Sequence, residues 1–121
     1  MPRRTLLACL LLLPLAGCGP SRTQAEVDRG REAVTAALEA WKKKEPAVTL
    51  NGEEVTFSED WRKTHTLVEY ALADHKVPDE RTIAYAVTLK LKDKRGKEET
   101  RETVYRVALG PPLIVSRDPY D

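Results

Sequence analysis

The chain opens on an apolar block and then turns amphipathic, and the period of its amphipathicity changes once. Leu6 to Leu15 is apolar and interrupted only by Pro14. Further on, Val27, Gly30, Val34, Ala37, Leu38 and Trp41 recur at spacings of three and four, which puts them on one face of a helix predicted over about Gln24 to Lys44. Thr23 and Glu26 form the pattern of a capping box. Lys42 to Lys44 complement the dipole of the last turn, and Pro46 closes the helix because its predecessor avoids the α region. Gly30 on the apolar face costs roughly 1 kcal/mol of helix propensity relative to Ala, so close approach of another backbone is expected there.

After Pro46 the period becomes two. Residues 47–50 and 53–57 flank Asn51-Gly52 and read as a small hairpin with a tight I′ turn. Ser58 to Trp61 reads as a turn or a single helical turn. Residues 64–73 alternate, with Thr66, Val68, Tyr70 and Leu72 on one face, and a polar loop containing Pro78 is expected over 74–81. Ile83, Tyr85, Val87, Leu89 and Leu91 alternate cleanly with Ala84, Ala86, Thr88, Lys90 and Lys92, the pattern of a strand with one face buried. A turn at 93–96 with Gly96 at positive φ leads to a return strand over about 97–109, with Thr103, Tyr105, Val107 and Leu109 inward. Between Lys92 and Glu102 there is no large apolar side chain, so the outer half of this hairpin is expected to project into solvent. Leu113 to Arg117 is a last short strand. A lone amphipathic helix cannot bury its stripe. The expected fold is therefore α+β: one long helix on a curved antiparallel sheet of about four strands, a single domain over 23–118 with a polar tail at 119–121.

The opening block has its own logic. Arg3 and Arg4 precede it, and it is too short to cross a bilayer, which takes roughly 20 apolar residues. A charged start, a short apolar run and small residues make a signal peptide over 1–17. Leu15-Ala16-Gly17-Cys18 matches the lipobox of lipoprotein signal peptidase. That resemblance implies cleavage between Gly17 and Cys18, lipidation of Cys18, and a short tether over 18–22. Two or more acyl chains give stable anchoring where one gives marginal binding. Arg3-Arg4 also faintly resembles a twin-arginine signal, a pattern that an ordinary n-region accounts for better. Gly19 follows the cysteine in place of the Asp linked to inner-membrane retention in enteric bacteria, which points to the outer membrane where that rule holds.

Composition narrows the function. Without Arg3 and Arg4, 18 basic residues face 19 acidic ones, a formal net charge of −1. Nucleic-acid binders carry a clear basic excess, so that class is set aside. Of the two cysteines, Cys9 leaves with the signal peptide and Cys18 is consumed by lipid, so no thiol is left for a disulfide, a metal or nucleophilic chemistry. The apolar core alone must hold the domain.

Candidate chemistry is sparse. His65 and His75 fall near opposite ends of one predicted strand and form no HxH, HxxxH or HExxH pattern. His65 with Asp60 has the composition of a general acid–base pair, though a surface histidine near a strand start is the simpler reading. Trp41 reads as the end of the helix stripe and Trp61 as a sheet-edge anchor. Ser21, Ser58 and Ser116 lie in no nucleophile-elbow context. No catalytic, cofactor-binding or metal-ligating residue is assigned, and the only site residues are Gly17 and Cys18.

Leu38-Glu39-Ala40-Trp41-Lys42, Asp60-Trp61, Leu67…Tyr70, and Val104-Tyr105-Arg106-Val107…Ile114-Val115-Ser116-Arg117-Asp118 resemble small uncharacterised lipoproteins of planctomycete-type bacteria. These are placed with the cystatin-like superfold, alongside the nuclear-transport-factor-two-like cone. The resemblance covers roughly residues 24–118 and implies a cystatin-like domain. Enzymes of the cone class, SnoaL-like cyclases and ketosteroid isomerase, work in a pocket between helix and sheet under further N-terminal helices. This chain has one long helix. The expected function is a non-enzymatic binding or structural domain, membrane-anchored through Cys18 in the cell envelope, meeting a protein or another envelope component by its sheet face or edge. The alternative is a small-molecule-binding or catalytic cone domain with a pocket between Trp41 and the Tyr70, Tyr85 and Tyr105 faces.

Overall fold

The structure, a computed structural model, describes residues 22–118. The expected signal peptide, the expected Gly17–Cys18 cleavage site, lipidation of Cys18 and the tail at 119–121 lie outside the described residues. Among the described residues a single α-helix, α1 (Gln24–Lys42), packs into a curled half-barrel of six strands. These are β1 (Val48–Leu50), β2 (Glu53–Ser58), β3 (His65–Lys76), β4 (Thr82–Asp93), β5 (Glu98–Ala108) and β6 (Leu113–Arg117). A 3-10 helix, η1 (Asp60–Lys63), joins β2 to β3.

The capping box forms as its sequence requires. The Glu26 amide donates to Thr23 Oγ1 at 3.1 Å, and the Thr23 amide donates to Glu26 Oε1 at 3.1 Å. The apolar stripe is buried along its length, from Val27 to Trp41. The helix stops at Lys42, two residues short of the expected end. Lys44 takes a left-handed φ of 60°, its amide donates to the Trp41 carbonyl at 3.0 Å, and the Glu45 amide donates to the Ala40 carbonyl at 2.8 Å. This is a Schellman closure with lysine where glycine is usual. Chain reversal is complete before Pro46 acts.

The sheet order is β1-β2-β6-β5-β4-β3, and all neighbours are antiparallel except β2 and β6. The expected four-stranded antiparallel meander is thus corrected to a six-stranded mixed sheet. Val55 pairs with Leu113 and Phe57 with Val115 in parallel, which seats β6 between β2 and β5. The physical reason is burial. Leu113 and Val115 have no exposed surface, and only an interior position covers both flanks of so short an apolar strand. The β1–β2 hairpin turns on Asn51 (φ 52°) and Gly52 (φ 84°), the pair of positive φ values a I′ turn needs.

The β4–β5 hairpin holds the expected strands with its register one residue from the simplest pairing: Leu91 faces Glu99 and Val87 faces Thr103. Ile83, Tyr85, Val87, Leu89 and Leu91 are all buried, as are Thr103, Tyr105 and Val107. Strand β3 departs from its expected pattern. The register slips between Leu67 and Glu69, so Leu67 is buried where Thr66 and Val68 were expected to face in, and Tyr70 and Leu72 follow in the new phase. One extra residue at a β-bulge moves the alternation to the other face. Extended pairing continues to Lys76, which shortens the expected 74–81 loop to 77–81.

Gly30 is buried against a side chain, not the expected backbone. Tyr85 occupies the space a Cβ would need, and its hydroxyl donates to the Val27 carbonyl at 2.5 Å. Together with Tyr105 and Leu38, also without exposed surface, Tyr85 fills the region between helix and sheet.

Candidate functional site

The strands give the domain two ends. At one lie the start of α1 and the turns 51–52, 77–81 and 109–112. At the other lie the end of α1, η1, the start of β3 and the 93–97 turn. The second end carries a cleft of about 580 Å³. The Schellman segment Lys44–Pro46 forms one wall, η1 residues Asp60, Arg62 and Lys63 another, and His65 and Thr66 a third, over a floor of Trp41 and Phe57.

The floor is built by packing. The Trp41 and Phe57 ring centroids are 6.3 Å apart, and Phe57 meets Tyr105 edge-on at 5.9 Å. Trp41 is only 4% exposed, and its indole N–H donates to the His65 carbonyl at 3.1 Å. It therefore ends the buried stripe, as its spacing predicts. Arg62 lies 5.1 Å from the Phe57 centroid and donates to the Glu45 carbonyl at 3.3 Å, bridging the cleft mouth.

Beside the floor sits a chain of paired polar groups. The Glu59 side chain has no exposed surface. It accepts from the Trp61 amide at 3.0 Å and from the Tyr105 hydroxyl at 2.5 Å, with the Arg117 guanidinium 3.7 Å away. Glu59 is the N-cap of η1, so one carboxylate starts the 3-10 turn and receives a core tyrosine. Trp61 is thereby placed under two guanidiniums: Arg117 lies 3.6 Å and Arg101 4.6 Å from its ring centroid. Such contacts are worth about 0.5–2 kcal/mol each. Arg101 also grips Glu99 through two nitrogens, each at 3.1 Å. That guanidinium, with His65 adding to it, holds the Glu99 carboxyl below the ordinary carboxylate range.

The Asp60–His65 pair does not form. His65 instead places Nε2 3.2 Å from Glu99 Oε1 and Nδ1 2.7 Å from Thr64 Oγ1. Asp60 stays exposed on the cleft wall while its neighbour Glu59 takes the inward, capping position. The outer half of the hairpin is solvent-facing as expected at 92, 94–98, 100 and 102, with Glu99 and Arg101 half-buried. The turn at 94–97 is exposed, and Lys90 pairs with Glu98 at 3.6 Å. Leu89 and Leu91 below it have no exposed surface, and His65 and Trp61 lie over Glu99 and Arg101. Polar groups can cover a strand when they are paired.

His75 stands at the far end of β3, exposed, with its ring 6.3 Å from that of Tyr85. Ser58 lines the cleft, and Ser116 lines a neighbouring hollow of about 390 Å³ with Trp61 and Arg117. Among the described residues, no group of three or more His, Cys, Asp or Glu converges as metal ligands. Ser21 lies outside the described residues.

Glu59, Glu99, Arg101 and Arg117 escaped the sequence reading. Their signal was phase. Glu59 continues the inward Val55–Phe57 alternation, Arg117 continues Leu113–Val115, and Glu99 and Arg101 continue Thr103–Tyr105 backwards. A charged residue in phase with a buried stripe needs a partner inside.

The class these observations define is a small α+β domain, one helix in a curled mixed sheet with an open polar-rimmed cleft at one end. No protein-family model, no curated protein and no solved structure matches the chain.

Proposed function

We propose that the chain is an exported lipoprotein, anchored by acyl chains on Cys18, whose domain is a binding module of the cell envelope. The contact site is the cleft between the end of α1 and η1, and its occupant is a protein segment or another envelope component. Gly19 after the lipidated cysteine favours the outer membrane. The observation that carries the binding role is the cleft itself. Its volume of about 580 Å³ falls within the 300–1,000 Å³ usual for ligand sites. It combines an apolar floor with cations and anions of η1 and the Schellman turn, the mixture that gives specificity at modest burial. The polar groups behind it are spent on each other, Glu59 on Tyr105 and His65 on Glu99 and Thr64, which favours contact over proton transfer.

A second reading keeps the cone-type, small-molecule site but moves it. The space between helix and sheet is filled by Tyr85 and Tyr105, so a ligand would enter at Phe57 with the Glu59–Tyr105 pair behind it.

The test has two arms. Cys18→Ser should abolish acylation and membrane fractionation; processing after Gly17 with retained membrane association sinks the anchor. Reversing the rim with Arg62→Glu and Lys63→Glu should abolish capture of whatever envelope species the acylated wild type retains, with circular dichroism unchanged. Undiminished capture means that the cleft is not the contact site.

A further inference from the structure

Resting on the lipid-anchor reading above, we infer that the domain stands upright on its membrane, docking the end formed by the 77–81 and 109–112 loops onto the lipid headgroup region and holding the cleft away from the bilayer.

The tether sets the first limit. Four chain steps separate Cys18 from Arg22, a reach of at most about 14 Å when fully extended. Arg22 is attached to the loop end of the domain: its guanidinium donates to the Glu80 carbonyl and pairs with Glu26 at 3.3 Å. The 19 residues of α1 then carry the chain about 28 Å to Trp41 and the cleft. A tether half that length cannot turn the domain over, so the domain cannot stand on its cleft end.

The surface of the loop end decides between standing and lying flat. The 77–81 and 109–112 segments are adjacent, because Thr82 pairs with Ala108. Together they present Pro78, Pro111 and Pro112 as exposed apolar side chains, with Val77 and Leu109 half-buried behind them. Of the charges there, Asp79 accepts from the Arg81 and Thr82 amides and pairs with Arg106 at 3.7 Å, while the Glu80 and Arg81 side chains are exposed. Exposed apolar tips beside charges of both signs suit the boundary between headgroups and acyl chains. The strand flanks carry Glu69 and Glu102 exposed among Ala71, Ala73, Ala86 and Thr88. In this posture the mouth at Arg62 and Lys63 opens to a partner approaching from the compartment, not one lying in the same leaflet.

Depth-dependent fluorescence quenching tests this. With Cys9 removed and Cys18 acylated, a cysteine introduced at Pro78, Pro112 or Lys94 is the only free thiol for a fluorophore. The acylated protein is placed in phosphatidylethanolamine–phosphatidylglycerol vesicles containing a headgroup-region nitroxide lipid. Labels at 78 and 112 should be quenched several-fold more strongly than one at 94. Equal quenching at all three positions means that the domain lies flat and overturns the inference. So does the absence of quenching at 78 and 112 when mass spectrometry shows acyl chains on Cys18. An N-terminal peptide without acyl mass, with protein left free of the vesicles, overturns the anchor reading and takes the orientation with it.

Discussion

Tyr85 on β4 packs against Gly30 on α1 so closely that a Cβ at residue 30 would collide with the phenol oxygen and lie 3.2 Å from the ring carbons. The hydroxyl reaches the Val27 carbonyl through that gap. In an exposed helix Gly→Ala gains about 1 kcal/mol. Here Gly30→Ala is expected to cost about 1–3 kcal/mol through overpacking. Tyr85→Phe should cost about 1 kcal/mol. The double variant should be less damaged than the two single losses added together, since they share one contact. Denaturant titration of all four proteins measures the coupling; a Gly30→Ala protein more stable than the parent would show that the phenol is not seated there.

Lys44 holds a φ of 60° at the Schellman position, where a side chain costs energy and glycine does not. Lys44 is exposed. Lys44→Gly is expected to raise stability by about 0.5–1 kcal/mol, read as a higher denaturation midpoint. A fall would mean that Lys44 makes a contact worth more than its strain.

Glu59 and Tyr105 stabilise each other at the base of the candidate site. Tyr105→Phe leaves a buried carboxylate with one donor fewer and should cost about 1–3 kcal/mol. It should also loosen η1, so that Trp61 fluorescence shifts towards the red as the ring leaves Arg101 and Arg117. Unchanged emission together with full loss of stability would separate the core role of Tyr105 from any role in seating Trp61.

Thr103 is the counterexample to that pairing: among the described residues its buried hydroxyl has no hydrogen-bond partner. Thr103→Val keeps the shape and removes the unmet group. It should be neutral or stabilising by about 1 kcal/mol, as thermal melts will show.

Stability should fall at both ends of the pH scale. Glu26, Asp79 and Asp93 are held below the ordinary carboxylate range by donation from the Thr23, Arg81 and Lys97 amides. Their folded values lie below their unfolded ones, so the stabilisation is whole above about pH 5 and is lost as pH drops through the folded values. Tyr70 and Tyr85 are pushed up to about 12 by burial, with the Glu39 carboxylate adding to the effect at Tyr70. For raised groups the sign reverses: stabilisation is whole below about pH 10 and lost as pH rises towards 12. Asp93→Asn should flatten part of the acid limb, and Tyr70→Phe part of the alkaline one. Titrations that superimpose on the parent's would dismiss these groups.

Local pattern was sufficient for much of this protein. The capping box, the helix stripe, the Asn51-Gly52 turn and the alternation of Ile83 to Leu91 all follow from spacing, because each depends on residues a few positions apart. What needed the tertiary structure depends on partners far along the chain. The parallel seating of β6 on β2 brings Phe57 to Val115, and no local period encodes a pairing across nearly sixty residues. The bulge at Val68 reverses a strand's alternation without a glycine or proline to announce it. The Glu59–Tyr105 pair and the stacking of Arg101 and Arg117 on Trp61 exist because strands remote in sequence converge on one end of a curled sheet. Charge looks solvated in a sequence; only the fold supplies the partner that lets it be buried.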